Sequence, residues 1–206
     1  ELASTNLKYI FSVQGKTHVV PVWRENSGVS YKVKYYLQNI EDDKYTLKES
    51  YDFQGTTDET VTAEIKTYTH FTFNEKESKT SGKIYGDGSL SLYVYYTRDQ
   101  YNVSVNGDNL KAGTYTSING KYKYDDEIKV SATTNAGYTF DGWFEGETLI
   151  TTDLQYTFNV ERDISLTAKW STHVDTLYKI NYYLQNFEDD EYTLQETLNL
   201  KGTTDT

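Results

Sequence analysis

YKVKYYLQNIEDDKYTLKESYDFQGTTD (residues 31–58) decides the fold, because it returns almost unchanged as YKINYYLQNFEDDEYTLQETLNLKGTTD at residues 178–205. The two stretches align without gaps at an offset of 147 residues (178 minus 31), and 18 of their 28 positions are identical. A long internal period is typical of a repeat architecture rather than of one large core. We therefore interpret the chain as part of a tandem array.

The same offset aligns the N-terminal residues with the end of the period. NLKYIFSVQGKTHVVPVW (6–23) falls on DLQYTFNVERDISLTAKW (153–170), so that Trp23 matches Trp170. We expect the chain to be a fragment of a longer protein, because it carries no initiator Met, signal peptide or anchoring motif. The predicted organisation is the tail of a preceding B-type module at 1–23, a linker at 24–30, module A at 31–98, module B at 99–170, and the first hairpin of the next A-type module at 171–206.

Composition favours β-structure and excludes several classes of site. Of the 206 residues, 36% are hydrophobic and 16% aromatic, with 21 Tyr, and such side chains suit a pleated, half-buried surface. The chain has no cysteine, which excludes disulfides, thiol nucleophiles and thiolate metal ligands. The net charge of −11 argues against nucleic acid as a partner, because phosphate binding needs clustered Lys and Arg. No apolar run is long enough for membrane insertion within this segment.

Alternation with a period of two predicts strands along most of the chain. In module A the alternating apolar positions are Tyr31, Val33, Tyr35 and Leu37 in the first strand and Leu90, Leu92, Val94 and Tyr96 in the last. Gly86-Asp87-Gly88, Asn106-Gly107 and Asn119-Gly120 predict hairpin turns. Thr56 to Glu59 fits a capping box, which favours a helix, whereas Val61, Ala63 and Ile65 alternate as in a strand. We therefore expect a mainly β chain, bordering on α+β, with at most one short helix per module.

Two sets of motifs resemble known repeat families. GYTFDGW (137–143) and SLTAKW (165–170) make residues 101–170 similar to the internalin-type B-repeat, also called the Listeria–Bacteroides repeat. YKVKYYLQN, YTLKE and LYVYYTR make residues 31–98 similar to the mucin-binding-protein repeat. Module A departs from that second pattern at His70-Phe71, where many relatives have Gly before the aromatic residue.

The two resemblances imply the architecture and the setting. They imply small β-grasp (ubiquitin-like) modules strung into an elongated array on a Gram-positive-type bacterial cell surface, outside the cell. They also imply spacer, adhesive or host-interaction roles without enzymatic activity, and they supply no catalytic residues.

Sequence motifs for catalysis, cofactors and metals are weak. The acidic triplets at 41–43, 125–127 and 188–190 are contiguous, whereas calcium loops alternate ligands with spacers, so we interpret them as solvated turns. His18, His70 and His173 lack metal-ligand spacing. An intramolecular Lys–Asn crosslink is not expected either, because the alternating strands place their Lys on the polar side. We therefore predict no catalytic residue, no cofactor and no metal.

The aromatic residues divide into a core set and an outward set. Tyr138, Phe140, Trp143 and Trp170 are the predicted core signature of module B. The outward set, a possible binding patch, is Tyr36, Tyr93, Tyr95 and Tyr183. Two interpretations stay open for the outward set: its rings pack on a neighbouring module, or they form a free stripe for protein or glycan.

The leading functional hypothesis is a non-enzymatic stalk or spacer. Modules A and B join at residues 97–100, a link too short for free motion. The alternative is an adhesive module that binds a host protein or glycan through its tyrosine-rich strands. The expected partners are neighbouring modules of the same chain and, for the alternative, that host ligand.

Overall fold

The computed structural model describes residues 3–205, which form fifteen strands and no helix. The strands are β1 (Val29–Gln38), β2 (Tyr45–Gly55), β3 (Thr60–Thr62), β4 (Phe71–Phe73), β5 (Ser81–Lys83), β6 (Ser91–Arg98), β7 (Gln100–Gly107), β8 (Ile118–Lys123), β9 (Glu127–Ser131), β10 (Tyr138–Glu145), β11 (Thr148–Thr151), β12 (Gln155–Asn159), β13 (Ile164–Thr172), β14 (Thr176–Gln185) and β15 (Tyr192–Gly202).

Module A is built on a four-stranded sheet with the order β2-β1-β6-β4. β1 pairs antiparallel with β2 and parallel with β6, and β4 pairs antiparallel with β6. Strands β3 and β5 form a separate ribbon, and Ala63 and Ile84, which follow these two strands, belong to the buried cluster under the sheet. The sheet contributes to that cluster the inward side chains Val33, Tyr35, Leu92, Val94 and Tyr96.

Module B repeats this plan with a five-stranded sheet in the order β11-β10-β13-β7-β8. β7 pairs antiparallel with β8 and parallel with β13, while β9 and β12 form the separate ribbon. Its core holds Val103, Val105, Trp143, Leu166 and Trp170. In both modules, therefore, the first strand lies between its hairpin partner and the last strand, which runs parallel to it.

The C-terminal strands β14 and β15 form a two-stranded antiparallel sheet that copies the β1/β2 hairpin. The pairing shifts by one residue between Tyr35 and Tyr36 in the first hairpin and between Tyr182 and Tyr183 in the second. Asp43 and Asp190 both adopt positive φ, at 56° and 57°. The local structure of the repeated phrase is thus the same in both copies.

Two turn predictions from the sequence are wrong, whereas the limit of at most one short helix per module agrees with the structure. Among residues 3–205 there is no helix: the Glu59 carboxylate accepts the Thr56 amide at 2.9 Å, as in a capping box, but the chain continues as β3. Asn106-Gly107 and Asn119-Gly120 lie inside β7 and β8 instead of in turns. Gly107 is needed for close approach, because a Cβ there would lie 2.5 Å from the Tyr115 ring. Gly86-Asp87-Gly88 does form a turn, but it links β5 and β6, which belong to different sheets.

Residues 3–28 precede the first sheet and contain no strand. Trp23 is 80% exposed there, whereas Trp170, its counterpart in the repeat, is 7% exposed in the core of module B. Within residues 3–205, no helix has the length and apolar character needed to cross a membrane.

Candidate functional site at the junction of modules A and B

The connection between the two modules is a single residue. β6 ends at Arg98 and β7 begins at Gln100, which leaves Asp99 between them. The Asp99 amide donates to the carbonyl oxygen of His70 at 2.9 Å, and the Asp99 carbonyl accepts the amide of Tyr124 at 2.8 Å. The connecting residue is therefore hydrogen-bonded into both modules, which restricts its backbone.

Arg98 lies at the centre of this junction, with its side chain 3% exposed. Nη1 donates to the Tyr124 carbonyl at 2.8 Å and to Asp126 Oδ1 at 2.7 Å, both in module B. Nη2 donates to the Ile40 carbonyl at 3.3 Å and to Asp43 Oδ1 at 3.0 Å, both in module A. A buried guanidinium is costly unless it is paired, and here its partners come from both modules. The planar fork of Arg suits this two-sided bridge better than the point charge of Lys.

The first acidic turn supplies one half of the bridge. Asp43 sits in the left-handed region and also accepts Lys123 Nζ at 2.7 Å. The hydrogen bonds from Lys123 and Arg98 hold the pKa of the Asp43 carboxyl below its usual value. Asp42 instead closes the turn, accepting the Asn39 amide group at 2.8 Å and the Lys44 amide at 3.1 Å. One residue of the triplet at 41–43 therefore joins the modules, which the interpretation as a solvated turn did not foresee.

The second acidic turn supplies the other half. Asp126 accepts Arg98 through Oδ1 and the amide of Lys123 through Oδ2 at 2.8 Å. Asp125 adopts a positive φ of 66°, so that its amide donates to the Val160 carbonyl at 2.7 Å. The turn between β8 and β9 thus aims one carboxylate at Arg98.

His70 adds an aromatic contact across the junction. It adopts a φ of 64°, its ring stacks on Tyr124 at 4.1 Å with an interplanar angle of 6°, and Nδ1 lies 3.0 Å from the Tyr101 hydroxyl. The turn here has a positive φ, a backbone that favours Gly. The imidazole supplies a contact that Gly cannot make.

Sequence reasoning missed Arg98, although a signal was present. Arg98 continues the inward period of Leu92, Val94 and Tyr96 in β6, and the structure buries all four. A cation on the apolar face of a strand indicates a paired, buried charge. The partners could not be inferred, because they depend on how the two modules meet.

A polar cavity of about 320 Å³ opens beside the junction and is lined by Gln38, Thr72, Thr97, Arg98, Asp99, Gln100 and Lys123. Its charged groups are engaged in the bonds described above, and Asp99 also accepts the Thr72 hydroxyl at 2.6 Å. Within residues 3–205, no group of three or more His, Asp and Glu side chains is arranged to hold a metal ion. The geometry of the junction is thus suited to holding two modules together.

A second cavity, of about 430 Å³, lies in module A where Lys66 meets the β1/β2 hairpin. Lys66 Nζ lies 2.5 Å from Glu49 Oε2 and 4.1 Å from the centroid of the Tyr51 ring. The hydrogen bond from Lys66 lowers the pKa of the Glu49 carboxyl to about 2 and raises the pKa of the Lys66 ammonium. Both groups are therefore charged, and a charged ammonium is a poor nucleophile for a crosslink.

The outward tyrosines lie on the solvent-facing side of the sheet in module A. The Tyr36 ring stacks on Tyr95 at 4.8 Å and lies 6.3 Å from Tyr93, while Tyr45 meets Tyr95 edge-on at 4.9 Å. These ring contacts are all within module A, and the three predicted side chains are half-buried. Tyr183, the counterpart of Tyr36, is 51% exposed on the C-terminal hairpin. The structure therefore brings three members of the set together and leaves the fourth apart.

The aromatic signature of module B lies in its core. Tyr138, Trp143 and Trp170 are buried, and Phe140 packs against the same cluster, with its ring 5.4 Å from that of Trp170. The three histidines are dispersed: His70 is at the junction, His173 Nε2 lies 2.9 Å from the Thr139 hydroxyl, and His18 is exposed.

Comparison with known families places module B. We find no match among the curated proteins. The sequence-based prediction of an internalin-type repeat is confirmed for this part of the chain, whereas the mucin-binding-like resemblance of residues 31–98 stays a prediction. Residues 101–173 match the model of the divergent InlB B-repeat domain, a non-catalytic module type that is typical of repeat regions in bacterial surface proteins.

Proposed function

We propose that the chain is a stalk or spacer in the repeat region of a bacterial surface protein, outside the cell. The observation that carries the proposal is the buried Arg98, which hydrogen-bonds to both modules across a one-residue connection. A joint of this kind holds neighbouring modules in a fixed orientation, and a net charge of −11 opposes self-association of the resulting rod.

The architecture supports classing both modules with the β-grasp folds. Each has a first strand that pairs antiparallel with the second strand and parallel with the last. A short ribbon occupies the place where that fold class would carry its helix. This classification, like the mucin-binding-like identity of module A, belongs to the proposal.

The proposal is tested by the relative orientation of the modules in solution. Residual dipolar couplings measured on the 206-residue chain should give one common alignment tensor for modules A and B. Arg98→Ala should give two different tensors, because it removes the bridge. Arg162→Ala is the matched control, since Arg162 pairs with Glu145 at 2.6 Å within module B. Independent tumbling of the two modules in the unmodified chain would contradict the proposal.

A second candidate function is adhesion through the outward tyrosines. The observation that favours it is the cluster of Tyr36, Tyr93 and Tyr95, whose rings face away from the core and contact one another. The test is a screen of glycans and host proteins with the whole chain and with a variant carrying Ser at all three positions. Loss of a specific binder in that variant, and its retention in Tyr183→Ser, would support adhesion. If no binder is found, adhesion is contradicted and the stalk is the function that stays proposed.

A further inference from the structure

The loop after the second strand of the hairpin occurs twice, once in contact with a module and once without. In the second copy it comprises residues 203–205 and lies against the end of module B. The amide of Thr204 donates to the His173 carbonyl at 2.9 Å, and the Tyr138 hydroxyl donates to the Asp205 carboxylate. Lys111 Nζ lies 3.8 Å from Asp205 Oδ2. One acidic residue therefore meets a hydroxyl and an ammonium of module B.

Close approach at this contact depends on a glycine. Gly137 has a φ of 88°, and a Cβ at that position would lie 2.6 Å from the Thr204 hydroxyl oxygen. The side chain of Thr204 thus lies directly over the bare backbone of the turn that precedes β10. Any larger residue at Gly137 would push the loop away.

In the first copy the same loop, residues 56–58, has the same backbone without a module upon it. Asp58 has a φ of 70°, against 64° for Asp205. The amide of Thr57 donates to the Asn26 carbonyl at 2.9 Å, which reproduces the bond from Thr204 to His173. The geometry is therefore preformed in module A.

The two polar side chains of this preformed loop differ, because the threonine hydroxyl is already buried and the carboxylate is weakly engaged. The Thr57 hydroxyl is buried and has no hydrogen-bond partner, because Val29 replaces the threonine that pairs with Thr204 in the second copy. Asp58 pairs with Lys83 at 2.9 Å, but both side chains are more than half exposed. An exposed pair of this kind contributes little, so it does not compete strongly with a better partner.

We propose that the loop of Thr57 and Asp58 is a docking surface for the Gly137-Tyr138 turn of a B-type module, here a second copy of residues 99–173. The inference rests on the proposed stalk and supplies its second joint. Arg98 fixes the orientation of module B relative to the module A that precedes it. Asp58 fixes the orientation of module A relative to the B-type module that precedes it. Asp58 accepts the tyrosine hydroxyl, as Asp205 does in the second copy.

The test uses the whole chain, in which the Gly137-Tyr138 turn is already covered by Thr204 and Asp205 of the same molecule. A short tether corresponds to a local concentration on the order of millimolar. In the unmodified chain the contact within one molecule is therefore favoured over the contact between two molecules. The double variant Thr204→Ala/Asp205→Ala releases the turn for a second molecule. Because donor and acceptor surfaces differ, the association is head-to-tail and open-ended.

The expected result is a rise of about twofold in the weight-average mass of the double variant at about 1 mM, measured by sedimentation equilibrium. The unmodified chain should stay monomeric at the same concentration. Adding Asp58→Ala should abolish the association, whereas adding Asp52→Ala, which removes another exposed acid that pairs with a lysine, should leave it intact.

A double variant that stays monomeric, or an association that survives Asp58→Ala, would overturn the inference. Amide spectra of residues 29–170 that stay unchanged away from the substituted positions and from Lys111, Gly137 and Tyr138 establish that the variants are folded. The orientation of A relative to B is measured separately through Arg98, so failure here would leave the stalk proposal standing.

Discussion

The hairpins at 29–55 and 176–202 share their strand pairing, their bulge and their turn, but their surroundings differ. Tyr35 is 2% exposed, whereas its counterpart Tyr182 is 48% exposed. The first hairpin is covered by β6 and by the segment that carries Lys66, and its tip meets Arg98. The second hairpin keeps the same backbone without these partners. Pairing and turn geometry are therefore encoded locally, while burial and ion pairs come from the rest of the module.

The largest difference between the copies should come from the tyrosine that is buried in the first hairpin and half-exposed in the second. Tyr35→Ala should destabilise module A by about 3–5 kcal/mol, because it opens a cavity in the core and removes the bond from the Tyr35 hydroxyl to the Glu64 carbonyl. Tyr182→Ala should cost less than about 1 kcal/mol. Hydrogen exchange followed by mass spectrometry measures the first cost from the amides of residues 29–98 and the second from those of residues 176–202. Equal costs would mean that the second hairpin is buried in solution.

The acidic tips of the two hairpins should differ next. Asp43→Ala should weaken the junction by about 1–2 kcal/mol, because Arg98 and Lys123 both lose a charged acceptor. Asp190→Ala removes the matching carboxylate on the second hairpin, where it closes the local turn with Gln185. We expect no change in the exchange of junction amides such as those of Asp99 and Tyr124. A loss of protection there in Asp190→Ala would contradict the role assigned to the first tip.

The stability of the two hairpins should depend differently on acid, because Glu49 pairs with Lys66 in the first copy. The folded pKa of Glu49 is about 2, below the unfolded value of about 4.3, so the stabilisation by Lys66 is complete above the unfolded value. It is lost as the pH falls from about 4 towards 2. Glu49→Gln should therefore flatten the acid side of the stability curve of module A, measured by thermal unfolding between these pH values. Glu196→Gln is the matched control, and an equal flattening there would refute the assignment.

The smallest effect should come from making the first turn resemble the second. Lys44→Glu introduces the residue found at position 191, and it removes an exposed contact in which Lys44 Nζ lies 3.5 Å from Asp42. The free energy of unfolding should change by less than about 0.5 kcal/mol. Thermal unfolding checks this, and a larger loss would show that the turn needs the positive charge.

Much of the architecture follows from local signals in the sequence. The alternation of apolar residues in β1 and β6 identifies both strands and the faces that they bury, because a strand presents alternate side chains to one side. The motifs around Tyr138 and Trp143 identify module B, and the 147-residue offset identifies the hairpin copies. These features depend on neighbours in the chain, which the sequence displays directly.

The wrong turn predictions and the ambiguous signal at residues 56–65 have a common physical cause. The capping-box chemistry of Thr56 and Glu59 also suits a tight turn before a strand, and only the pairing of β3 with β5 decides between the two. Asn-Gly is a turn signal only where no distant strand pairs with its backbone. Here β13 pairs with Asn106 and Gly107, and β7 pairs with Asn119 and Gly120. The junction could not be predicted because it also depends on distant partners. Arg98 pairs with residues 55 positions before it and 28 positions after it.

The parallel pairing of β1 with β6 has a mechanical consequence. The chain enters module A at the start of β1 and leaves it at the end of β6, and the two strands share six paired positions, from Lys32 with Ser91 to Leu37 with Tyr96. Tension between these two points slides the strands past each other, so the hydrogen bonds of the ladder bear the load together instead of parting one at a time. Module B repeats this arrangement with five paired positions between β7 and β13. Pulling on the two ends of the chain therefore loads modules A and B in shear, the direction in which a strand pair resists best.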